Sequence, residues 1–352
     1  MRPYFVALAT FVALSACGGS DAVFGTDDGT DTGSGSGSGG GTDTGNPINS
    51  DRTVPPGTAS PSPAVAIFRS EPTSTDGTYD GNGFARDISY NSANDTFTVD
   101  NLGFDGDNTY SRGTAVSSLG PFAVYEADAQ YLDSFDGTPI NQFTHRAIYG
   151  VSTSGNTQFA IVRTGAYAGY GFGGFIYQRD NNVTLPTTGQ AEFNGKISGL
   201  RDYNGAARLE YTTGDIEIAI DFDDFNDSTG TRGDAVRGVI SNRRIYDIDG
   251  NEVTSDVLAR VNAKNNITLS SIPAATFAVG PGVMDDNGEI IGTLQSYYVD
   301  SNGQTQTFEE GNYYAIVSGA NVDEIVGVVV LESTKDSIAS TVRETSGFIV
   351  YN

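Results

Sequence analysis

Hydrophobic and polar residues alternate along most of this chain with a period of two. In residues 215–223, Ile216, Ile218, Ile220 and Phe222 fall on one face of an extended segment, and Asp215, Glu217, Ala219, Asp221 and Asp223 fall on the other. That pattern predicts a strand with one face in the core and one in water. Shorter runs of the same kind occur at 95–99, 143–151, 157–163, 191–200, 236–242, 290–299 and 312–317. They are separated by the turn pairs Asp76-Gly77, Asp80-Gly81, Asp136-Gly137, Asp249-Gly250, Asn287-Gly288 and Asn302-Gly303, which suit tight reversals between antiparallel strands. Residues 325–331 are apolar at both parities, interrupted only by Gly327, and predict a strand covered on both sides. Around Gly173-Gly174 the aromatics Tyr170, Phe172, Phe175 and Tyr177 switch from even to odd positions; a bulge there would keep them on one face. One short helix is expected, capped by Thr254 or Ser255 and running through Val257, Leu258 and Val261. The chain is therefore expected to be all-β, built of antiparallel sandwiches or barrels.

The first residues follow a different rule. Arg2 precedes an apolar run from Phe5 to Leu14, and Leu14-Ser15-Ala16 leads into Cys17, the one cysteine of the chain. The run is about half the ~20 residues a bilayer core requires, so it predicts a cleaved signal segment over residues 1–16. The site resembles the lipobox of bacterial lipoproteins, which implies acylation of Cys17 and anchorage of the mature chain by its lipid. Gly18 and Gly19 stand where such lipoproteins carry an inner-membrane retention aspartate, so the outer membrane is the expected destination, and the cell surface the expected face. Residues 17–63 are Gly-, Ser-, Thr-, Asp- and Pro-rich and cannot bury enough apolar surface to fold. As a flexible tether they would reach about 40 Å on average and on the order of 150 Å when extended.

Charge and residue chemistry narrow the function further. A formal net charge of −25 disfavours nucleic acid and anionic headgroups as partners, since both select basic surfaces. With Cys17 acylated, no thiol remains, and His145 is the one histidine, placed in an apolar strand; neither a His-dependent triad nor a transition-metal cluster is expected. Two groups of side chains could supply oxygen ligands to calcium: Asp247, Asp249 and Asn251, and Asp221, Asp223, Asp224, Asn226 and Asp227. Neither reproduces a twelve-residue loop closed by Glu, and hairpin turns and a solvated strand end explain them. No catalytic residue, cofactor or metal is expected, and the chain is expected not to be an enzyme.

The run Pro186-Thr187-Thr188-Gly189-Gln190-Ala191-Glu192-Phe193-Asn194-Gly195 with Gly199, and the later run from Gly319 through Glu324 to Gly327, resemble the first and late barrel signatures of the transferrin-binding protein B family. The resemblance spans residues 186–352 and implies an eight-stranded antiparallel β-barrel there, preceded by a β-rich handle-like domain over 64–185. It also implies a monomeric, surface-exposed lipoprotein that binds a protein or solute through barrel and handle loops. Ligand residues are unknown, because the matching motifs are structural. A structural or envelope-assembly lipoprotein is the alternative.

Overall fold

The computed structural model describes residues 49–50, 67–70 and 86–352, apart from 101–108, 128–129, 133–134, 142–143, 165–172, 181–182, 223–224, 227–230, 233–234, 279–282 and 286. The signal segment, Cys17, most of the tether and the turns at Gly77 and Gly81 lie outside the described residues.

The first half forms a curled, open sheet. Its strands are β1 (Asn49–Ser50), β2 (Ile67–Ser70), β3 (Arg86–Asn91), β4 (Thr96–Asp100), β5 (Thr109–Arg112), β6 (Ser118–Leu119) and β7 (Phe122–Ala127). After a separate two-stranded ribbon, β8 (Gln130–Leu132) and β9 (Pro139–Asn141), come β10 (Arg146–Val151), β11 (Thr157–Arg163) and β12 (Gly173–Arg179). The order across the sheet is β1-β3-β4-β5-β7-β10-β11-β12-β2, with β6 paired to β7. Every pair is antiparallel except β1 with β3. Strand β1 falls within the stretch read from sequence as a tether. Alternation splits the central strands cleanly. Tyr90, Phe97, Tyr110, Tyr125 and Tyr149 build a core on one face, and Phe122, Val124, Ile148, Phe159, Ile161, Phe175 and Tyr177 line the other. The bulge expected at Gly173-Gly174 is absent, because β12 pairs with β11 in unbroken register. Gly173 serves another purpose: a β-carbon there would overlap the carbonyl of Val162 and the side chain of Arg163.

The second half closes into a barrel. Its strands are β13 (Gln190–Tyr203), β14 (Ala206–Asp221), β17 (Ala235–Tyr246), β18 (Ala275–Phe277), β19 (Glu289–Val299), β20 (Thr305–Ser318), β21 (Glu324–Ser333) and β22 (Val342–Tyr351). A short ribbon, β15 (Phe225–Asn226) with β16 (Thr231–Arg232), interrupts the β14–β17 connection. Eight strands in sequential antiparallel order meet when β22 pairs with β13, so no barrel edge is left open. The alternation in β14 is as expected: Ile216, Ile218, Ile220 and Phe222 enter the interior while Glu217 is exposed. Strand β21 is covered on both sides, with Ile325, Val329 and Leu331 in the barrel core and Val326 and Val328 under the sheet.

The helix α1 (Thr254–Asn265) also forms, with Val257, Leu258 and Val261 buried against Ile245, Ile272, Tyr298 and Phe308. Its capping differs from expectation. Val253 is the N-cap and makes no side-chain cap, while the Thr254 hydroxyl accepts from the Ile245 N–H at 2.9 Å and ties the helix to β17.

Candidate functional site

The barrel interior is occupied by its own side chains, in two layers. The lower layer is apolar, built on Phe193, Ile218, Ile240, Leu294 and Phe348, with Phe277 and Tyr313 stacked 3.9 Å apart. Toward the end where β13 turns into β14, the inward side chains become charged. Arg243 holds Glu309 through Nη1 at 2.5 Å and Nη2 at 3.2 Å, and Glu344 through Nη2 at 2.7 Å. Arg201 donates to Glu210 at 2.5 Å, which also accepts from Tyr203 Oη at 2.6 Å and Arg208 Nη2 at 2.8 Å. Arg260 of α1 reaches Asp336 at 3.0 Å, and Lys264 donates to the carbonyls of Thr334 and Asp336, so the helix seals this end.

Four arginines thus face four carboxylates. Burial pushes the pKa of Glu344 up, but the Arg243 and Arg201 guanidiniums outweigh it and hold the group below the ordinary carboxylate range. For Asp336, too, burial acts upward, and the hydrogen bonds from Arg260 and the Ile338 N–H bring it below. Paired charges of this kind are spent on one another.

The sheet packs against the outer wall of the barrel. Leu200, Leu209, Tyr211, Tyr314, Ile316, Val326, Val328 and Ile349 point outward from their strands and bury under the second face of the sheet. Phe159 lies at the centre, where the Phe122 ring meets it edge-on at 4.8 Å. Polar groups frame this apolar layer. Arg163 Nη2 donates to Thr345 Oγ1 at 2.9 Å and its Nε lies 3.8 Å from Asp202. Arg179 Nη1 donates to the carbonyls of Asn287 at 2.9 Å and Val317 at 2.5 Å. The Thr153 N–H donates to Tyr351 Oη at 2.9 Å.

The first of the acidic groups considered for calcium shapes a hairpin. Asp247 Oδ1 accepts from the N–H groups of Asp249 and Asn251 at 3.0 and 2.8 Å, and Oδ2 accepts from Asn251 Nδ2 at 2.9 Å. Gly250 supplies the left-handed residue, with φ 86°. Asp285 and Asp300 repeat the arrangement with Asn287 and Glu289, and with Asn302 and Gln304. The hydrogen bonds from Asn251 pull the Asp247 pKa down against slight desolvation. Of the second group, Asp223, Asp224 and Asp227 lie outside the described residues. Among the described residues no three His, Cys, Asp or Glu converge as metal ligands would. Calcium is expected to leave the amide resonances of 247–251 unmoved in a titration; saturable shifts there would show a site the turn geometry does not reveal. His145, one residue before β10, is buried edge-on to Tyr110 at 6.4 Å.

Among the described residues the surface carries few large apolar side chains. Phe135, at the tip between β8 and β9, is 97% exposed, and Tyr297 and Val299 of β19 are also exposed. The following Asp136-Gly137 turn is held by the Thr138 N–H on Asp136 at 2.8 Å.

No protein-family model matches the chain, and no curated protein matches it. Solved structures that it resembles include transferrin-binding proteins B and a surface lipoprotein. A double mutant of the Haemophilus parasuis protein aligns with a TM-score of 0.33 and 12% identity over 65% of this chain and 36% of that one. The protein from serogroup B Neisseria meningitidis aligns at 0.30 and 11% over 75% and 50%. The surface lipoprotein aligns at 0.29 and 9% over 56% and 75%. The chain thus spans about a third to a half of these two transferrin-binding structures.

Proposed function

We propose that this chain is a lipid-anchored outer-membrane lipoprotein, exposed at the cell surface, that binds a protein or solute through its outer loops without catalysing a reaction. One observation carries the reading: the side chains inside the barrel and at the sheet–barrel junction are engaged with one another. That leaves the outer surface, with loops such as the Phe135 tip, to meet a partner. The lipobox supplies the anchor through Cys17, and the segment after it supplies reach.

The test is protease accessibility of the barrel on intact cells, compared with lysed cells and a periplasmic control. Cleavage on intact cells supports surface presentation; protection until lysis would favour an envelope-assembly role. Separately, Cys17→Ala is expected to shift the protein from the membrane to the soluble fraction, because acyl chains contribute about 0.8 kcal/mol per buried CH2. Retention in the membrane would overturn the anchor.

A further inference from the structure

At the β10–β11 turn, hydroxyls of the sheet converge on one carboxylate of the barrel. Glu324 opens β21 and is 1% exposed. Its Oε1 accepts from Ser154 Oγ at 2.8 Å, Ser152 Oγ at 3.0 Å and Thr157 Oγ1 at 3.2 Å. All three donors belong to the sheet and the acceptor belongs to the barrel. The turn is itself ordered around the same hydroxyls, with the Thr157 N–H on Ser152 Oγ at 3.2 Å and the Asn156 N–H on Ser154 Oγ at 3.0 Å. Beside it, Tyr351, the cross-strand partner of Glu324, accepts from the Thr153 N–H.

A fully buried carboxylate with neutral donors costs desolvation and gains no ion pair in return. Apolar residues of the same size would pack the two bodies together just as well, so Glu324 specifies where the turn sits instead of adding adhesion.

We propose that Glu324 is a latch that locks the β10–β11 turn, and with it this corner of the sheet, onto the barrel. The latch is independent of whether the chain binds a ligand. It is also proton-linked. Burial raises the Glu324 pKa, the three hydroxyls lower it by less, and the Asp323 charge adds to the rise. The other ionisable groups at this corner are Tyr351 of β22, and Arg179 and Asp180 of the sheet. Arg179 is engaged with the Asn287 and Val317 carbonyls, and Asp180 with Gln158 and Gln178. A raised carboxyl pKa in the docked state means that docking takes up a proton. The latch therefore tightens as pH falls through the docked-state pKa toward the ordinary 4.5 and gains nothing further below that value.

The test is hydrogen–deuterium exchange on the full chain, corrected for intrinsic rates. In Glu324→Ala the amides of 152–158 are expected to lose at least about tenfold in protection while those of β13 and β14 stay unchanged. Glu324→Gln keeps an acceptor oxygen and should retain the protection, but without the gain the wild type shows as pH falls from neutral toward 4.5. The double variant Ser152→Ala, Thr157→Val approaches from the sheet side and should reproduce the Ala result. Equal protection in wild type and Glu324→Ala would overturn the latch. So would loss of protection throughout the barrel, or a Gln variant as open as the Ala variant.

Discussion

Arg243→Met is expected to destabilise the folded chain by about 3–5 kcal/mol, the range for removing one partner of a buried ion pair. The cost comes from what remains. Glu309 and Glu344, both buried, would lose the guanidinium that now holds them at 2.5–3.2 Å, and a buried carboxylate without its partner is costly whether it stays ionised or takes up a proton. Ser296 and Ser346, each donating to one of these carboxylates, cannot replace it. Urea or thermal unfolding measures the loss. Replacing Glu309 and Glu344 by glutamine together with Arg243→Met should recover a large part of it, since a neutral set has no unpaired charge to desolvate. A single-variant effect under about 1 kcal/mol would mean the charges are solvated and the barrel end is not sealed.

The same layer sets the acid limit. Asp336 and Glu344 sit below their ordinary values of 3.8 and 4.5 in the fold. Their contribution is present above those values and is lost as pH falls through the lowered ones. Glu324 has the opposite sign, because its raised value adds stability as pH falls toward 4.5. Acidification from neutral should therefore firm the sheet–barrel corner first, and only below about pH 4.5 weaken the barrel end.

Why the strands were legible in the sequence and the place of Arg243 in this charged layer was not comes down to one residue. Alternation places Val236, Gly238 and Ile240 inward, and continuing it would send Asn242 and Arg244 inward and Arg243 out to water. Instead Asn242 takes φ 51°, and the register of β14 with β17 shifts between Thr213 and Asp215, a bulge. Parity flips, so Arg243 and Ile245 enter the interior while Arg244 pairs with Glu252 on the surface. Nothing in a local window marks Asn242 as the bulged position. The double coverage of 325–331, by contrast, was readable because both parities were apolar. The partner covering its outer side was not, since that contact joins residues far apart in sequence. Glu324 could be read as part of a barrel signature, but its donors Ser152, Ser154 and Thr157 are ordinary turn residues. The turn aspartates were legible as turns, because Asp and Gly at fixed spacing shape a hairpin from local hydrogen bonds alone.

The largest effect at the junction is expected from Gly347→Val. Gly347 lies on the outer face of β22, and a β-carbon there would overlap the Phe159 ring. Gly150 is hemmed in by the same ring from within the sheet, with Phe122 also against it. Phe159 therefore occupies a slot made by the absence of two side chains, and it is fully buried there. Valine suits a strand and points away from the barrel core, so the barrel itself should tolerate the change. The sheet cannot dock without moving Phe159, which would give up contacts across the junction. Phe159→Ala alone should cost about 3–5 kcal/mol, by lost burial and the cavity left behind. The double variant decides between a direct clash and a general weakening. If the valine fills the space vacated by the ring, Gly347→Val with Phe159→Ala should cost less than the sum of the singles by about 1 kcal/mol or more. Strict additivity would mean that the two positions do not meet and that the slot is not what seats the sheet on the barrel.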